Sequence, residues 1–333
     1  MLNPLDTLHL WLSQTCQFSI EKITPLAGDA SFRQYFRIHG NFPNESSRQL
    51  MLMDARSPNE NIHQFIQVAK ILKEMHVNVP DIIKEAPQEG FLLLEDLGDD
   101  LLLSKLDDQS VDFFYTKAVD ILLQIQAQPI HYQLPSFDIP HMLREMQLFQ
   151  DWFLEQHLNL QLSTTEQHLI QASFLKIART IDSHPKSMIH RDFHSRNLMV
   201  LPNNDLGVID FQDAMIGPRA YDLVSLLKDC YISWDKKQQK TWATYFYHGL
   251  NTDTDLNDFL KEFTLCGIQR HIKVLGIFSR LNYRDGKSKY LADLPFTWQY
   301  LTQALDDYPE LAALKDFIDS KVEPLFHSKL IPC

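Results

Sequence analysis

Nowhere in the 333 residues does an apolar run approach the ~20 positions needed to span a bilayer as a helix. A membrane-spanning helix is therefore not expected. Cysteine is scarce: Cys16, Cys230, Cys266 and Cys333 lie far apart and form no C-x-x-C pair. That pattern argues against a disulfide framework or a zinc knuckle and for a reducing, cytoplasmic setting. Positive charge is in deficit, with 31 Lys and Arg against 43 Asp and Glu and a net charge of -12. A nucleic-acid backbone usually meets a basic face, so such a partner is not expected. A single nucleotide needs only a local cation or a metal and remains compatible. The first twenty residues, "MLNPLDTLHLWLSQTCQFSI", carry Asp6 and no basic n-region, which argues against a signal peptide. Internal repeats and low-complexity tracts are also lacking.

What is present is ordinary globular composition, 44% hydrophobic and 22% charged. At roughly 150 residues per domain, the length suggests two lobes. "FRQYFRI" (32–38) alternates apolar and polar residues, and "QLMLMDA" (49–55) is a second apolar run across a turn-rich connection. Ile62, Phe65, Ile66, Ala69, Leu72 and Met75 fall at helical spacing. "VNVPDII" and "GFLLLEDLG" follow as strand-like runs. After Gly98 helical stripes dominate, beginning with Val111, Phe114, Tyr115, Ala118, Ile121, Leu122 and Ile125. The proline-bearing stretch 126–140 is expected to be a connecting loop. The expected fold class is α+β, with a small β-rich N-terminal lobe (1–97) and a larger, mainly helical C-terminal lobe (98–333).

One island of strand-like texture interrupts the helical half. Residues 188–222 place five aspartates, two histidines and three asparagines between short apolar runs. Burying ionisable groups is costly, so their density demands a reason. His190 and His194 have the i, i+4 spacing of some zinc sites, but the residue after His190 is Arg191 rather than Glu, and a loop suits the stretch better than a helix. His190-Arg191-Asp192-Phe193-His194-Ser195-Arg196-Asn197 instead fills H-R-D-x-x-x-x-N, the catalytic-loop pattern of kinases. In that chemistry an aspartate sits beside the attacking hydroxyl and an asparagine carbonyl reaches a magnesium on the phosphates. Asp210 in "VIDFQD", thirteen residues beyond Asn197, closes another apolar run and suits the hard-oxygen preference of magnesium.

These residues resemble the aminoglycoside phosphotransferase family, which has a bilobal protein-kinase-like fold. Within it, "LAGDASFRQYFRI", "GFLLLEDLGD", "HRDFHSRNLMV", "GVIDFQDAMIGPRAYDLVSLLKD" and "RHIKVLGIFSRLNYRDGKSKYLADLP" resemble the branch of cell-wall recycling kinases. Those enzymes phosphorylate the anomeric hydroxyl of N-acetylmuramate and N-acetylglucosamine. The resemblance implies ATP and Mg as cofactors, a small sugar as substrate and no obligate protein partner. It makes Asp192 the catalytic base or hydroxyl-positioning acid, with Asn197 and Asp210 as magnesium ligands. "EDLG" (95–98), with Glu95 and Leu97, becomes the hinge whose backbone meets adenine. Ser31 and Arg33 join the phosphate-binding set.

The pattern also departs from that of kinases. The strand lysine of V-A-I-K has no counterpart in "LMLMDA", and the phosphate turn "AGDASFR" holds one glycine. Arg33, Arg37 and Arg56 are the available cations. A simple hairpin turn is the bland alternative for that loop, and a nucleotide-binding pseudokinase is the bland alternative for the chain. Another acceptor, such as an aminoglycoside or choline, is also left open. A structural role is the default for His190, for Arg191 paired to a carboxylate, and for Asp222 as a helix N-cap, and the resemblance implies that Asp222 also braces the catalytic loop. Asp213 is a candidate for the substrate side or for its own loop. In 270–287, Arg270, Lys273, Arg280, Arg284 and Lys287 stand among apolar residues, so some must face inward. Arg270, Lys273 and Arg284 are candidates to meet a sugar carboxylate. Trp234 and Tyr283 offer apolar faces for a sugar ring, with core packing as the rival.

Overall fold

The structure is a computed structural model that describes residues 4–26, 33–57, 61–128 and 132–330. In chain order the elements are α1 (Pro4–Leu10), β1 (Ser19–Leu26), β2 (Gln34–Asn41), β3 (Arg48–Asp54), α2 (Ile62–Glu74), β4 (Ile82–Ala86) and β5 (Phe91–Glu95). Next come α3 (Val111–Gln126), α4 (Ile139–Leu148), α5 (Thr164–Asp182) and β6 (Lys186–Ile189). Two short hairpin strands, β7 (Leu198–Val200) and β8 (Leu206–Val208), precede β9 (Met215–Pro218) and α6 (Tyr221–Leu227). The chain ends with α7 (Lys236–Gly249), α8 (Leu256–Tyr283), α9 (Leu294–Asp306), α10 (Ala312–Phe317) and α11 (Glu323–Leu330). This is the expected α+β class, with the strands of the large sheet all in the first hundred residues.

Contacts divide the chain into two units, one of Met1–Leu101 with Leu198–Asp213 and one of Leu102–Asn197 with Ala214–Cys333. A division at 97/98 follows the chain alone. The hairpin β7–β8 groups with the first unit because Val208 N donates to Asn78 O (2.7 Å) and Val200 N to Asp100 O (2.7 Å).

In the first unit an antiparallel sheet runs β1-β2-β3-β5-β4. Period-2 alternation puts Leu50 and Leu52 on one face, where they join Trp11, Phe18, Ile38, Phe42, Phe91 and Leu93 in a buried cluster. β5 lies between two neighbours and buries Phe91, Leu92, Leu93 and Leu94 in succession. That run explains its continuous apolar sequence, since a strand covered on both faces has no solvent side. α2 starts at Asn61, whose side chain accepts from Gln64 N (3.1 Å), and buries the expected stripe Ile62, Phe65, Ile66, Ala69 and Leu72.

In the second unit α8 is the axis. From Leu265 to Gly276 every residue is buried, including Gln269, Arg270, His271 and Lys273. A helix buried all round leaves its polar side chains no water, so each needs a protein partner. Gly276 makes close approach possible: a Cβ there would lie 2.4 Å from the Leu148 carbonyl carbon at the end of α4. α8 and α4 pack together, and that contact brings the buried polar groups of α8 beside Glu145. β6 pairs with β9, Met188 opposite Ile216, and the segment 190–197 follows β6 directly. Cys16, Cys230 and Cys266 are buried free thiols, and no helix among the described residues is long and apolar enough to cross a membrane.

Candidate active site

The loop after β6 is built around two buried carboxylates. Asp222, 2% exposed, accepts from His190 N (2.6 Å) and Arg191 N (2.9 Å). It lies within the first turn of α6 and makes no cap there, because Ala220 holds the N-cap position. The default N-cap role of Asp222 is thus replaced by bracing of the loop. Bracing is needed because Arg191 sits at φ 78, a left-handed conformation that costs a side-chain-bearing residue energy. Replacing Asp222 by Asn leaves one of the two N–H groups without its acceptor and should lower stability by about 1–2 kcal/mol, read as a shifted urea midpoint. Asp229, 1% exposed, accepts from Ser195 N (3.0 Å), Ser195 Oγ (2.5 Å) and Tyr231 N (3.0 Å). The loop then closes on itself, with Asn197 N donating to His194 O (2.9 Å) and Asn197 Nδ2 to Asp192 O (2.9 Å). His190 accepts from Asp192 N at Nδ1 (3.3 Å), in keeping with its structural default.

Asp192 emerges from this frame with its side chain 44% exposed and two buried cations of α8 behind it. Arg270 Nη1 lies 3.3 Å from Asp192 Oδ1 and also donates to Arg191 O (2.8 Å). Lys273 Nζ is 4.0 Å from the same carboxylate oxygen and 3.6 Å from Glu145 Oε1. Glu145 also binds Arg191 Nη2 (2.6 Å) and accepts from Gln269 Nε2 (3.1 Å). Burial pushes the Asp192 carboxyl up, but Lys273 and Arg270, with smaller help from His194 and Arg191, hold it well below the usual carboxylate range. Glu145 behaves likewise: burial raises it, while Lys273, His141 and Arg191 bring it far down. Lys273 remains a cation, since Glu145, Tyr221 and Asp192 overcome the opposing effect of burial.

The remaining candidates of this unit lie elsewhere. Arg284 is an exposed side chain paired with Asp285 (2.7 Å), fourteen residues beyond Arg270 and so about 21 Å further along α8. Trp234 is half-buried, donates its indole N–H to Tyr115 Oη (2.9 Å) and meets Tyr115 and Trp242 edge-on. Tyr283 is 47% exposed rather than in the core.

The first unit holds the other candidates. Asp210 is exposed, at φ 62, and accepts from Gln212 Nε2 (2.9 Å), which also reaches Asp213 (3.4 Å). Glu95 has its backbone N–H committed to Asp81 O (2.8 Å) and its carboxylate to Asp81 N (3.2 Å). No described residue hydrogen-bonds to the backbone of Leu97. Arg37 fixes this segment through Asp96 (2.6 and 3.1 Å) and Gly98 O (3.1 Å), and Gly98 takes φ 92, open to glycine without strain. Arg56 is occupied by Asp54 (2.6 Å). Arg33 is 7% exposed, with its guanidinium 6.0 Å from the Phe65 ring centre, and Phe65 packs on Phe211, the neighbour of Asp210. Ser31 lies outside the described residues.

Two of the residues that organise the loop went unpredicted, Glu145 and Asp229. A signal for Glu145 did exist: it falls between Met142 and Phe149, at i−3 and i+4, on the buried stripe of α4. A carboxylate on an apolar face is the informative kind of exception.

An H-R-D loop with an ionised aspartate on a braced turn, in an α+β chain of this layout, is the apparatus of phosphoryl transfer. Residues 22–262 match the phosphotransferase enzyme family, and the chain belongs to it. It is a phosphotransferase of a family whose activity implies use of ATP. Among its relatives, the N-acetylmuramate/N-acetylglucosamine kinase of Pseudomonas aeruginosa is 37% identical over 304 residues, covering 90% of this chain and 88% of that one. The protein of the same name from Neisseria meningitidis serogroup B is 36% identical, covering 92% of each. In fold the chain resembles the choline kinase LicA from Streptococcus pneumoniae (TM-score 0.63, 13% identity, 90% and 100% covered). It also resembles the ADP-bound aminoglycoside phosphotransferase APH(2'')-Ib (TM-score 0.61, 15% identity, 91% and 99% covered).

Proposed function

We propose that the protein transfers the γ-phosphoryl group of ATP to the anomeric hydroxyl of N-acetylmuramate, N-acetylglucosamine or both, in cell-wall recycling. The observation that carries this choice of acceptor is the charge around Asp192. The side chain of Asp192 faces the buried cations Arg270 and Lys273, while the loop's other carboxylates, Asp222 and Asp229, are turned to its backbone and to Ser195 Oγ. Such a surround opposes a cationic acceptor, an aminoglycoside or choline, and suits a neutral or anionic sugar. The names and the high coverage of the relatives support the same reading.

Asp192, already ionised, accepts the hydrogen bond of the sugar hydroxyl and aligns its oxygen on the γ-phosphorus. The oxygen–phosphorus bond to the sugar forms as the bond to ADP breaks. ADP leaves with the bonding pair, and the hydroxyl proton passes late to Asp192. Alignment and electrostatics carry most of such a step.

Asn197 and Asp210 are suited to a magnesium ion. The amide nitrogen of Asn197 is spent on the loop, and no described residue donates to its Oδ1. Gln212 occupies only Oδ1 of Asp210. Bound there, magnesium would neutralise charge on the transferring group. We assign Arg33 and Ser31 to the phosphates and the backbone of Leu97 to adenine.

The test is ATP consumption with magnesium against a panel of acceptors. Turnover with the two N-acetylated sugars, and none with choline or an aminoglycoside, is the expected result. The opposite preference would overturn the proposal.

A further inference from the structure

N-acetylmuramate differs from N-acetylglucosamine by a lactyl ether that ends in a carboxylate, so discrimination between them needs a cation. Arg270 and Lys273 are 2% and 4% exposed and face Asp192 and Glu145. Arg191 is spent on Glu145, and Arg284 on Asp285. Arg196 differs from all of these. It lies in the loop that carries Asp192, one residue before Asn197, and makes no ion pair with any described residue. Its guanidinium carbon stands 3.6 Å from the centre of the Tyr231 ring. Asp293 is close enough to be influenced by Arg196 yet forms no ion pair with it.

The stack is built rather than incidental. The buried Asp229 carboxylate holds Ser195 with one oxygen and the Tyr231 N–H with the other. It thereby fixes the residue before Arg196 and the ring beneath it. Stacking uses the face of a guanidinium and leaves its edge, where the N–H donors lie, for a planar partner. Restricting the side chain beforehand also lowers the entropy lost when a ligand binds. The closed turn from Asp192 to Asn197 keeps this fork close in sequence and space to the group that aligns the acceptor hydroxyl.

We propose that Arg196, seated on Tyr231, binds the carboxylate of an acidic acceptor sugar and sets the preference between N-acetylmuramate and N-acetylglucosamine. This rests on the function proposed above. The experiment compares kcat/KM for N-acetylmuramate and for its methyl ester, which lacks the charge, in the wild type and in Arg196→Met, Arg196→Lys and Arg280→Met. Arg280, on α8 seven residues beyond Lys273, is the rival because its Nε has no hydrogen-bond partner among the described residues. The wild type should favour the acid over the ester on the order of 10- to 100-fold, as for a hydrogen-bonded charge. Arg196→Met should abolish that ratio, Arg196→Lys should reduce it, and Arg280→Met should keep it. Equal rates for acid and ester in the wild type overturn the assignment, as does an unchanged ratio in Arg196→Met or a lost one in Arg280→Met. Should the wild type phosphorylate neither amino sugar, the proposed function itself falls and this assignment with it.

Discussion

Asp192→Ala is expected to lose about 10²–10⁴ in kcat, the usual range for a general acid–base group, while nucleotide affinity stays near that of the wild type. The separation follows from position. The loop is held mainly by the Asp192 backbone and by Asp222 and Asp229, all of which alanine leaves in place. The side chain, by contrast, faces Arg270 and Lys273 and carries the charge to which the proposed mechanism gives alignment of the acceptor. Its deeply lowered pKa makes it a weak base, so its contribution is mainly orientation and late acceptance of the proton. Steady-state kinetics with a nucleotide-binding titration checks both halves. Near-normal turnover in this variant would remove Asp192 from its role.

Glu145→Ala has the largest expected effect on stability. The carboxylate is buried and touches Arg191, Lys273, His141 and Gln269. Its removal leaves the Arg191 guanidinium without its carboxylate and Lys273 with only Asp192 at 4.0 Å, and breaking a buried pair in this way costs about 3–5 kcal/mol. Urea unfolding at neutral pH measures it. The pH dependence has a definite sign. Glu145 has a folded pKa below its unfolded value, so its stabilisation is complete above the unfolded pKa of about 4.3 and drains away as pH falls toward the depressed folded value. The wild type should lose this increment on acidification, and the alanine variant has none to lose.

These two residues mark what was readable in the chain and what was not. The candidates Asp192, Asn197 and Asp210 stand out in the sequence because the motif that proposes them is local: a few residues at strand ends at fixed intervals. The β-rich start and the helical remainder were legible for a similar reason, since period-2 and period-3.6 patterns are local as well. Glu145 lies 47 residues before Asp192 and meets it only through Lys273, across the contact of α4 with α8. No spacing in the sequence encodes that meeting. The inward turn of part of the basic segment was foreseen from its apolar neighbours, and Arg270 and Lys273 are indeed buried. Their partners were not, because a buried cation signals that it needs a carboxylate without saying which. The helix that follows Asp222 pointed to an N-cap, which it does not make, whereas the resemblance implied bracing of the catalytic loop, and its carboxylate does serve the loop 31 residues earlier. The grouping of the β7–β8 hairpin with the first hundred residues rests on backbone pairing with Asn78 and Asp100 and leaves no mark in composition.

The most direct measurement is phosphorus NMR of the product made from N-acetylglucosamine, ATP and magnesium. A phosphorus signal coupled to the anomeric proton is the predicted outcome. A phosphate coupled to the protons of any other carbon, or no phosphorylated sugar at all, would contradict the account.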